Sequence, residues 1–474
     1  MKRVLVVLAF AYAAMPFGVC AQDAPPDILF IAVDDLNDWV GFLGGHPQVQ
    51  TPNIDRLAAR GMAFTNAHSP SALCNPSRTA LLTGLRPSTT GIYGNAPDWR
   101  TADVFRSVPT LPRYFRDRGY RTLGAGKIFH AHTFGPDGFA GFNDRTAWDD
   151  FYPSIDRQLP DEVGPPRRPA NGSREINGFD WAAVVVDDEA MGDGQVANWA
   201  MRQLAAETDA PRFVAVGLYR PHLPWYVPQK YFDLYPLENV QLPAVLENDL
   251  DDVPPAGHAG HFQSRESHEW ILQEQKWPDA VQAYLASITF VDTMVGELID
   301  ALDRSGRADR TVVVLWGDHG YHLGEKSRWH KMSLWEESTR VPLIVVAPGV
   351  DPGSTSAKPV SLMDMYPTLA ELASFAVPSH VEGRSLMPLL EDSNAAWEYP
   401  AVTTYGYNNH AVRSERYRYI RYADGTDELY DHHSDPNEWT NLAGDPNLRG
   451  VKAELAAWMP AQNAPDLAPP RPGR

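Results

Sequence analysis

Cysteine is nearly missing from this chain: 474 residues contain two, Cys20 and Cys74. Cys20 falls in what reads as an export leader, so an exported chain would keep one thiol and could close no internal disulfide. Basic charge is also scarce. With 41 Lys and Arg against 60 Asp and Glu the net charge is −19, a field that repels phosphate backbones and argues against nucleic acid as a partner. An anionic substrate would need a local basic pocket to overcome that field. Long apolar runs are lacking too. Val4 to Ala14 is too short for a comfortable membrane span, and nothing later is long and apolar enough, which argues against stable membrane insertion. No internal period indicates a repeat fold; the 41 prolines point instead to long irregular loops.

What is present describes a large exported globular protein. Hydrophobic residues make up 43% of the chain, which excludes general disorder. Lys2 and Arg3 precede the apolar run, and Val19-Cys20-Ala21 fits a small-residue cleavage site. Residues 1–21 are therefore expected to be a signal peptide, cleaved near Ala21, with the mature protein periplasmic or secreted. A lipidated Cys20 is the weaker reading, because Val19 is bulky for the position before such a cysteine. The remaining thiol, Cys74, is either an inert core residue, since free cysteine is often buried, or a chemical site. The run Cys74-Asn75-Pro76-Ser77-Arg78 has no apolar strand pattern around it, which favours chemistry.

Strand and helix signals alternate. Asp27 to Val33 is an apolar run of strand length ending in Asp34-Asp35. Thr51-Pro52 reads as a helix start and Gly61 as its C-terminal cap. Further strands are expected over Arg121–Gly126, Phe213–Leu218 and Thr311–Trp316, and Val281 to Leu302 has the spacing of an amphipathic helix. This is an α/β pattern, a mostly parallel sheet flanked by helices, with polar motifs falling just after strands, where ligands bind such sheets. After about Leu390 the texture changes, and Tyr417 to Tyr422 alternates like an exposed antiparallel strand before an Asp424-Gly425 turn. We expect an N-terminal catalytic domain over 22–390 and a smaller α+β domain with an antiparallel sheet over 391–474, its last dozen residues loose. Asp233 to Ser267 reads as acidic loop, by default a solvated surface.

Asp34-Asp35 and Asp318-His319 each stand at a strand end. Carboxylate oxygens favour hard cations such as calcium or magnesium. Either pair alone would be read as a helix cap or a solvated turn; two such pairs with a candidate thiol in the same chain suggest halves of one cation site.

Cys74-Asn75-Pro76-Ser77-Arg78, with Leu82-Thr83-Gly84 downstream, resembles the signature of type I sulfatases of the alkaline-phosphatase superfamily. Asp34-Asp35, Pro52-Asn53-Ile54-Asp55, Gly126-Lys127, Gly317-Asp318-His319-Gly320 and Leu429-Tyr430-Asp431 follow in the family's order. Within the family, Gly126-Lys127-Ile128-Phe129-His130, Arg220-Pro221-His222 and Trp329-His330-Lys331 are most similar to iduronate-2-sulfatase-like enzymes. The resemblance implies an alkaline-phosphatase-like fold and hydrolysis of sulfate esters. It implies that a formylglycine-generating enzyme oxidises Cys74 to formylglycine, whose hydrate attacks sulfur with one hydroxyl and expels sulfate with the other. It further implies Ca2+, in preference to Mg2+, on Asp34, Asp35, Cys74, Asp318 and His319. Arg78 would hold the formylglycine hydroxyl or the metal-side charge, Lys127 and Lys331 would neutralise sulfate oxygens, His130 would act as base and His222 as proton donor to the leaving oxygen. A sulfated oligosaccharide or polysaccharide is the expected substrate, a 2-O-sulfated uronic acid or related sugar. Choline sulfate or an aryl sulfate is the alternative ester, and a non-catalytic binder of sulfated glycans the alternative class. Trp225, Tyr226, Trp329 and Trp335 are either a sugar-stacking wall or core packing; His322 and Trp148 are further candidate substrate contacts.

Overall fold

The computed structural model describes residues 25–132, 140–173, 178–258 and 262–467; the expected leader, 1–21, lies outside them. Eight strands form the main sheet: β1 (Asp27–Val33), β2 (Met62–Phe64), β3 (Arg121–Gly126), β4 (Asp150–Tyr152), β5 (Arg212–Leu218), β6 (Thr311–Gly317), β7 (Leu343–Val346) and β8 (Ser354–Ser356). Their order is β8-β2-β7-β6-β1-β5-β3-β4. β7 pairs antiparallel with both β6 and β2, and the other pairings are parallel.

The centre of the sheet is apolar on both faces because both are covered. All seven residues of β1 are buried. Leu29, Ile31 and Val33 pack into one core with the long helix α4 (Trp277–Arg304) and with α3 (Gly192–Ala205), while Ile28, Phe30 and Ala32 pack into the other, which holds Leu81 and Leu82 of α2 (Cys74–Thr83). Four adjacent strands, β6, β1, β5 and β3, thus deliver their carboxyl ends to one edge.

Helix α1 (Pro52–Ala58) begins where expected, with Pro52 in its first turn, but is not capped as expected. The Thr51 hydroxyl accepts the Gly41 amide at 2.8 Å. The first-turn amides of Asn53 and Ile54 instead donate to Asp292 of α4, at 3.0 and 2.8 Å. The helix stops at Ala59, before Gly61. Gly61 is needed for another reason: a Cβ there would lie 2.3 Å from the Val345 carbonyl oxygen.

A second sheet, β9 (Ala401–Thr404), β10 (His410–Arg413), β11 (Tyr417–Arg421) and β12 (Asp427–Asp431), is an antiparallel meander in chain order. Its β11 is not exposed as its alternation suggested. Arg418, Tyr419 and Ile420 are buried, because both faces are covered. Tyr419 packs with Leu455 of α5 (Arg449–Ala456) on one side, and Ile420 with Trp335 and Val253 on the other. The stretch read as loop between Asp233 and Ser267 contains helical turns at Leu237–Asn239 and Pro255–His258, and a helix over Phe262–Gln273. Beyond α5 the chain is tied down as far as it is described: the Ala464 and Leu467 amides donate to the carbonyls of Ser88 and Gly91, at 2.7 and 2.9 Å.

Asp292 is the bond between α1 and α4. Replacing it (Asp292→Ala) strips a charged acceptor from buried amides and should lower stability by about 2–4 kcal/mol, read as a drop in the urea midpoint with unchanged slope. A midpoint shift worth under about 0.5 kcal/mol would show that water replaces the carboxylate without cost.

Candidate active site

The sequence motifs converge on the sheet edge. Asp34 and Asp35 follow β1, Lys127 and His130 follow β3, His222 follows β5, and Asp318 and His319 follow β6. Cys74 is the first residue of α2, with Leu73 extended before it and Gly84 left-handed after it (φ 74°). The first-turn amides are already engaged, that of Asn75 by Asn95 Oδ1 and that of Ser77 by the Leu73 carbonyl, both at 3.0 Å, so the helix offers an anion at Cys74 its dipole rather than free donors. Arg78 lies four residues on, one helical turn, so it faces the same way as Cys74.

Arg78 is fully buried and each nitrogen of its fork is engaged. Nε donates to Asp318 Oδ2 at 2.8 Å and Nη2 to Asp34 Oδ1 at 3.0 Å; Nη1 donates to the carbonyls of Lys127 and Ile128, the latter at 3.1 Å. The ends of β1, β3 and β6 are thereby pinned to α2. The Ser77 hydroxyl adds a bond to the Asp318 carbonyl at 2.6 Å. Asp35 has positive φ (58°), and its amide donates to Asp318 Oδ1 at 3.0 Å.

Asp34, Asp35, Cys74 and His319 each offer one ligand atom, all within 4.8 Å of one another and all buried. Cys74 Sγ is 3.2 Å from His319 Nε2 and 4.0 Å from Asp35 Oδ1. His319 Nδ1 donates to the Gly320 carbonyl at 3.0 Å, which leaves Nε2 as the ligand atom. Two carboxylates and an imidazole form a donor set that fits a divalent cation, mostly through hard oxygen. Asp318 borders this group: its Oδ2 lies 3.7 Å from His319 Nε2 while Arg78 and the Asp35 amide orient its carboxylate.

Two lysines face the group. Lys127 Nζ bonds Asp34 Oδ2 and lies 4.0 Å from Cys74 Sγ; Lys331 Nζ reaches both Asp35 oxygens at 2.7 and 2.6 Å. His222 Nε2 is 4.0 Å from Asp35 Oδ2, and its Nδ1 donates to the Leu223 carbonyl at 2.6 Å. His130 lies three residues beyond Lys127, buried, its ring 6.0 Å from that of Phe142.

The electrostatics separate these groups. Burial alone would raise the Asp34 carboxyl, but Lys127, His222, Arg78 and Lys331 together hold it well below the usual range. Burial raises Asp35, with Lys331 offsetting part of the rise. Burial also pushes the Cys74 thiol far above its ordinary value, and Lys127 and Lys331 recover only part of that. An unaltered Cys74 is thus a neutral thiol and a weak nucleophile. Burial holds His222 well below its ordinary value, and Lys127 and Lys331 add to the effect.

Several contributors carry no sequence signal of their own. Asp193, in the first turn of α3, accepts the amides of Tyr219 and Arg220 at 2.6 and 2.9 Å and so fixes the loop that carries His222. Tyr284, one apolar-face residue among many on α4, ends its phenol on the Asp35 carbonyl at 2.7 Å. The loop that presents Lys331 has four non-glycine residues at positive φ, Lys326, Ser327, His330 and Met332, a strain tolerated where surroundings enforce it. Lys326 Nζ does so, bonding Asp249 Oδ1 at 2.5 Å and the Glu438 carbonyl.

The aromatic candidates are packing. Trp225 and Trp329 are fully buried, and Tyr226 and Trp335 are 2% exposed. Trp225 Nε1 donates to the Pro221 carbonyl at 2.6 Å and Trp335 Nε1 to Glu428 at 2.7 Å. Trp148 and His322 are likewise buried, bonded to Asn143 and Ser333 at 2.9 Å each. A second metal-like trio, Glu336, His432 and Glu438, is claimed by Arg413 and Arg418 and reads as an ion-pair latch.

Fold and site together define a hydrolase of the alkaline-phosphatase-like α/β class, built to hold an anionic ester against a buried acidic cation site flanked by lysines. The chain belongs to the sulfatase family: the family model described as Sulfatase matches residues 26–375, and that described as N-sulphoglucosamine sulphohydrolase, C-terminal, matches 324–464. It is a sulfuric ester hydrolase. A sulfatase of Formosa agariphila is 41% identical over 456 residues, covering 93% of this chain and 87% of the relative. The choline-sulfatase of Rhizobium meliloti is 33% identical, covering 91% and 85%, and the iduronate 2-sulfatase of Mus musculus 32% identical, covering 76% and 71%. Among solved structures, a 2-O GAG sulfatase superposes with a TM-score of 0.70 at 24% identity, covering 91% of this chain and 90% of that one, which establishes the shared fold.

Arg78 separates two buried carboxylates, so Arg78→Met should cost about 3–5 kcal/mol, the usual consequence of removing one partner from a buried ion pair. Thermal unfolding checks this. A melting temperature within a degree or two of the parent would show that the carboxylates simply take up protons.

Proposed function

We propose that this enzyme removes sulfate from a carbohydrate, acting through a formylglycine made from Cys74 by a formylglycine-generating enzyme, with Ca2+ at Asp34, Asp35, Asp318, His319 and position 74. The observation that carries the reading is the placement of Cys74: first residue of a buried helix, among the ligand atoms of the acidic group and facing Lys127, where burial disfavours the thiolate. When bound, the cation and the hydrated aldehyde supply Lewis acidity and a nucleophilic hydroxyl, with a second hydroxyl for release of sulfate.

The chain's own groups do the rest. Lys127 and Lys331 neutralise sulfate oxygens, a stabilisation that grows in a water-poor site. Arg78 keeps Asp34 and Asp318 apart by bonding both. His222 spends its Nδ1 proton on Leu223, so Nε2 is the atom available to the ester. Burial first, and the two lysines after it, disfavour a charged imidazole, and a bound sulfate opposes the lysines' part; Nε2 is the atom placed to pass a proton to the leaving oxygen. His130, on the Lys127 loop, takes the proton of the hydrated aldehyde.

The likeness to iduronate 2-sulfatase supports a sugar sulfate, a 2-O-sulfated uronic acid or a related sulfated sugar, and the leader-like N-terminus supports export to the periplasm or medium. The choline-sulfatase likeness, which covers more of the chain, favours a second reading, a small sulfate ester.

Sulfate release from protein co-produced with the formylglycine-generating enzyme decides between them. The panel holds 2-O-sulfated uronate disaccharides, sulfated algal oligosaccharides, choline sulfate and an aryl sulfate. The account expects release from a saccharide, loss to background in Cys74→Ala, and loss on chelation that added Ca2+ restores. Turnover confined to choline sulfate would establish the second reading.

A further inference from the structure

A cavity of about 370 Å3 lies between the small sheet and the loop that presents Lys331, within the size range of ligand pockets. Arg328, Met332, Trp335 (an edge of the core), Tyr405, Asn409 and Tyr422 are among its lining residues, and none of these belongs to the acidic cation group. It sits close to the reacting position. Met332 follows Lys331 directly, and its amide donates at 3.2 Å to the carbonyl of Ala72, two residues before Cys74.

The cavity's cation is Arg328. Its side chain is buried, 3% exposed, with the guanidinium 5.2 Å from the Trp335 ring. Burial pulls it down to about 10, still charged at neutral pH. The polar groups around it are held in place. The Asn409 amide donates to the Tyr405 carbonyl at 3.0 Å while its oxygen accepts the Ala423 amide at 2.8 Å. The Tyr422 hydroxyl donates to Glu428 at 2.5 Å, and that carboxylate also takes Trp335 Nε1 at 2.7 Å and the Tyr430 hydroxyl at 2.5 Å. The cavity thus combines a fixed guanidinium, two phenols, an amide and a thioether, a surface suited to a sugar ring bearing an acid group.

We propose that this cavity is a second anion subsite, in which Arg328 binds a carboxylate or a second sulfate carried by the saccharide whose scissile sulfate faces Lys127 and Lys331. The inference rests on the carbohydrate reading and narrows it to saccharides with two negative groups. It also resolves a difficulty in the sequence: with a net charge of −19, a doubly charged substrate is repelled by the whole molecule and needs a buried cation for each of its anionic groups. A guanidinium suits the task, because its planar fork meets either oxyanion with two bonds.

Binding tests the subsite apart from turnover. The full-length Cys74→Ala protein, which cannot be converted, is titrated calorimetrically with a 2-O-sulfated uronate disaccharide, an N,6-disulfated glucosamine and a sugar whose one sulfate is its only charged group. The expected result is at least about tenfold tighter binding of one or both dianions than of the monosulfate, in line with one charge-assisted bond. The stronger of the two shows whether the second group is a carboxylate or a sulfate. Adding Arg328→Gln should erase the preference and Arg328→Lys restore part of it. In the converted enzyme, Arg328→Gln should raise KM for the preferred saccharide with a smaller effect on kcat, and its loss in kcat/KM should exceed that on an aryl sulfate by about tenfold. Equal affinity for all three sugars, or equal losses on saccharide and aryl sulfate, would overturn the proposal, the second outcome marking Arg328 as structural. A binding preference without any saccharide hydrolysis would support the subsite and remove the carbohydrate reading.

Discussion

The structure turns on one buried guanidinium. Three strand ends reach the same edge with acidic or polar residues, and their carboxylates would repel one another in a water-poor interior. Arg78 bonds Asp34, Asp318 and the carbonyls after β3 at once. It sits one turn from Cys74, so the same helix that supplies the reactive position also supplies the charge that lets the acidic residues gather there. Breaking such a pair leaves an unmatched buried charge, which is why the site tolerates little change.

A second ion-pair system holds the small sheet in place. Glu336, next to Trp335, meets Arg413 and Arg418, and Arg418 Nε reaches Glu438 at 2.6 Å. Lys326 adds a bond from the strained Lys331 loop to Asp249 and to the carbonyl of that same Glu438. The small sheet therefore buttresses the loop that presents Lys331 and closes the cavity around Arg328. On the proposed reading, substrate selection and the placement of Lys331 depend on the same packing.

Much of this was legible in the sequence, and the reasons are local. Apolar runs over Asp27–Val33 and Thr311–Trp316 read as buried strands because both their faces are covered, and each ends abruptly in charged residues that had to lie at a sheet edge. The Cys74-to-Arg78 spacing made one helical face. Contacts set by distant packing were hidden. Thr51 does take the N-cap position of α1, but its hydroxyl caps nothing; the first-turn amides go to Asp292, some 239 residues away. The alternation of β11 suggested an exposed strand, and only tertiary contact showed Arg418 turned inward to Glu336. Trp225, Tyr226, Trp329 and Trp335 look alike in sequence whether they stack on sugar or fill a core; burial decided for the core.

On the proposed reading, position 74 works only after its thiol has been replaced, since burial disfavours the thiolate. Mass analysis of the peptide containing position 74, on preparations made with varying amounts of the formylglycine-generating enzyme, tests it most directly when paired with specific activity on one sulfate ester. The account predicts activity proportional to the aldehyde fraction and none from thiol-only protein. A thiol-only preparation hydrolysing the ester at the full specific rate would contradict it.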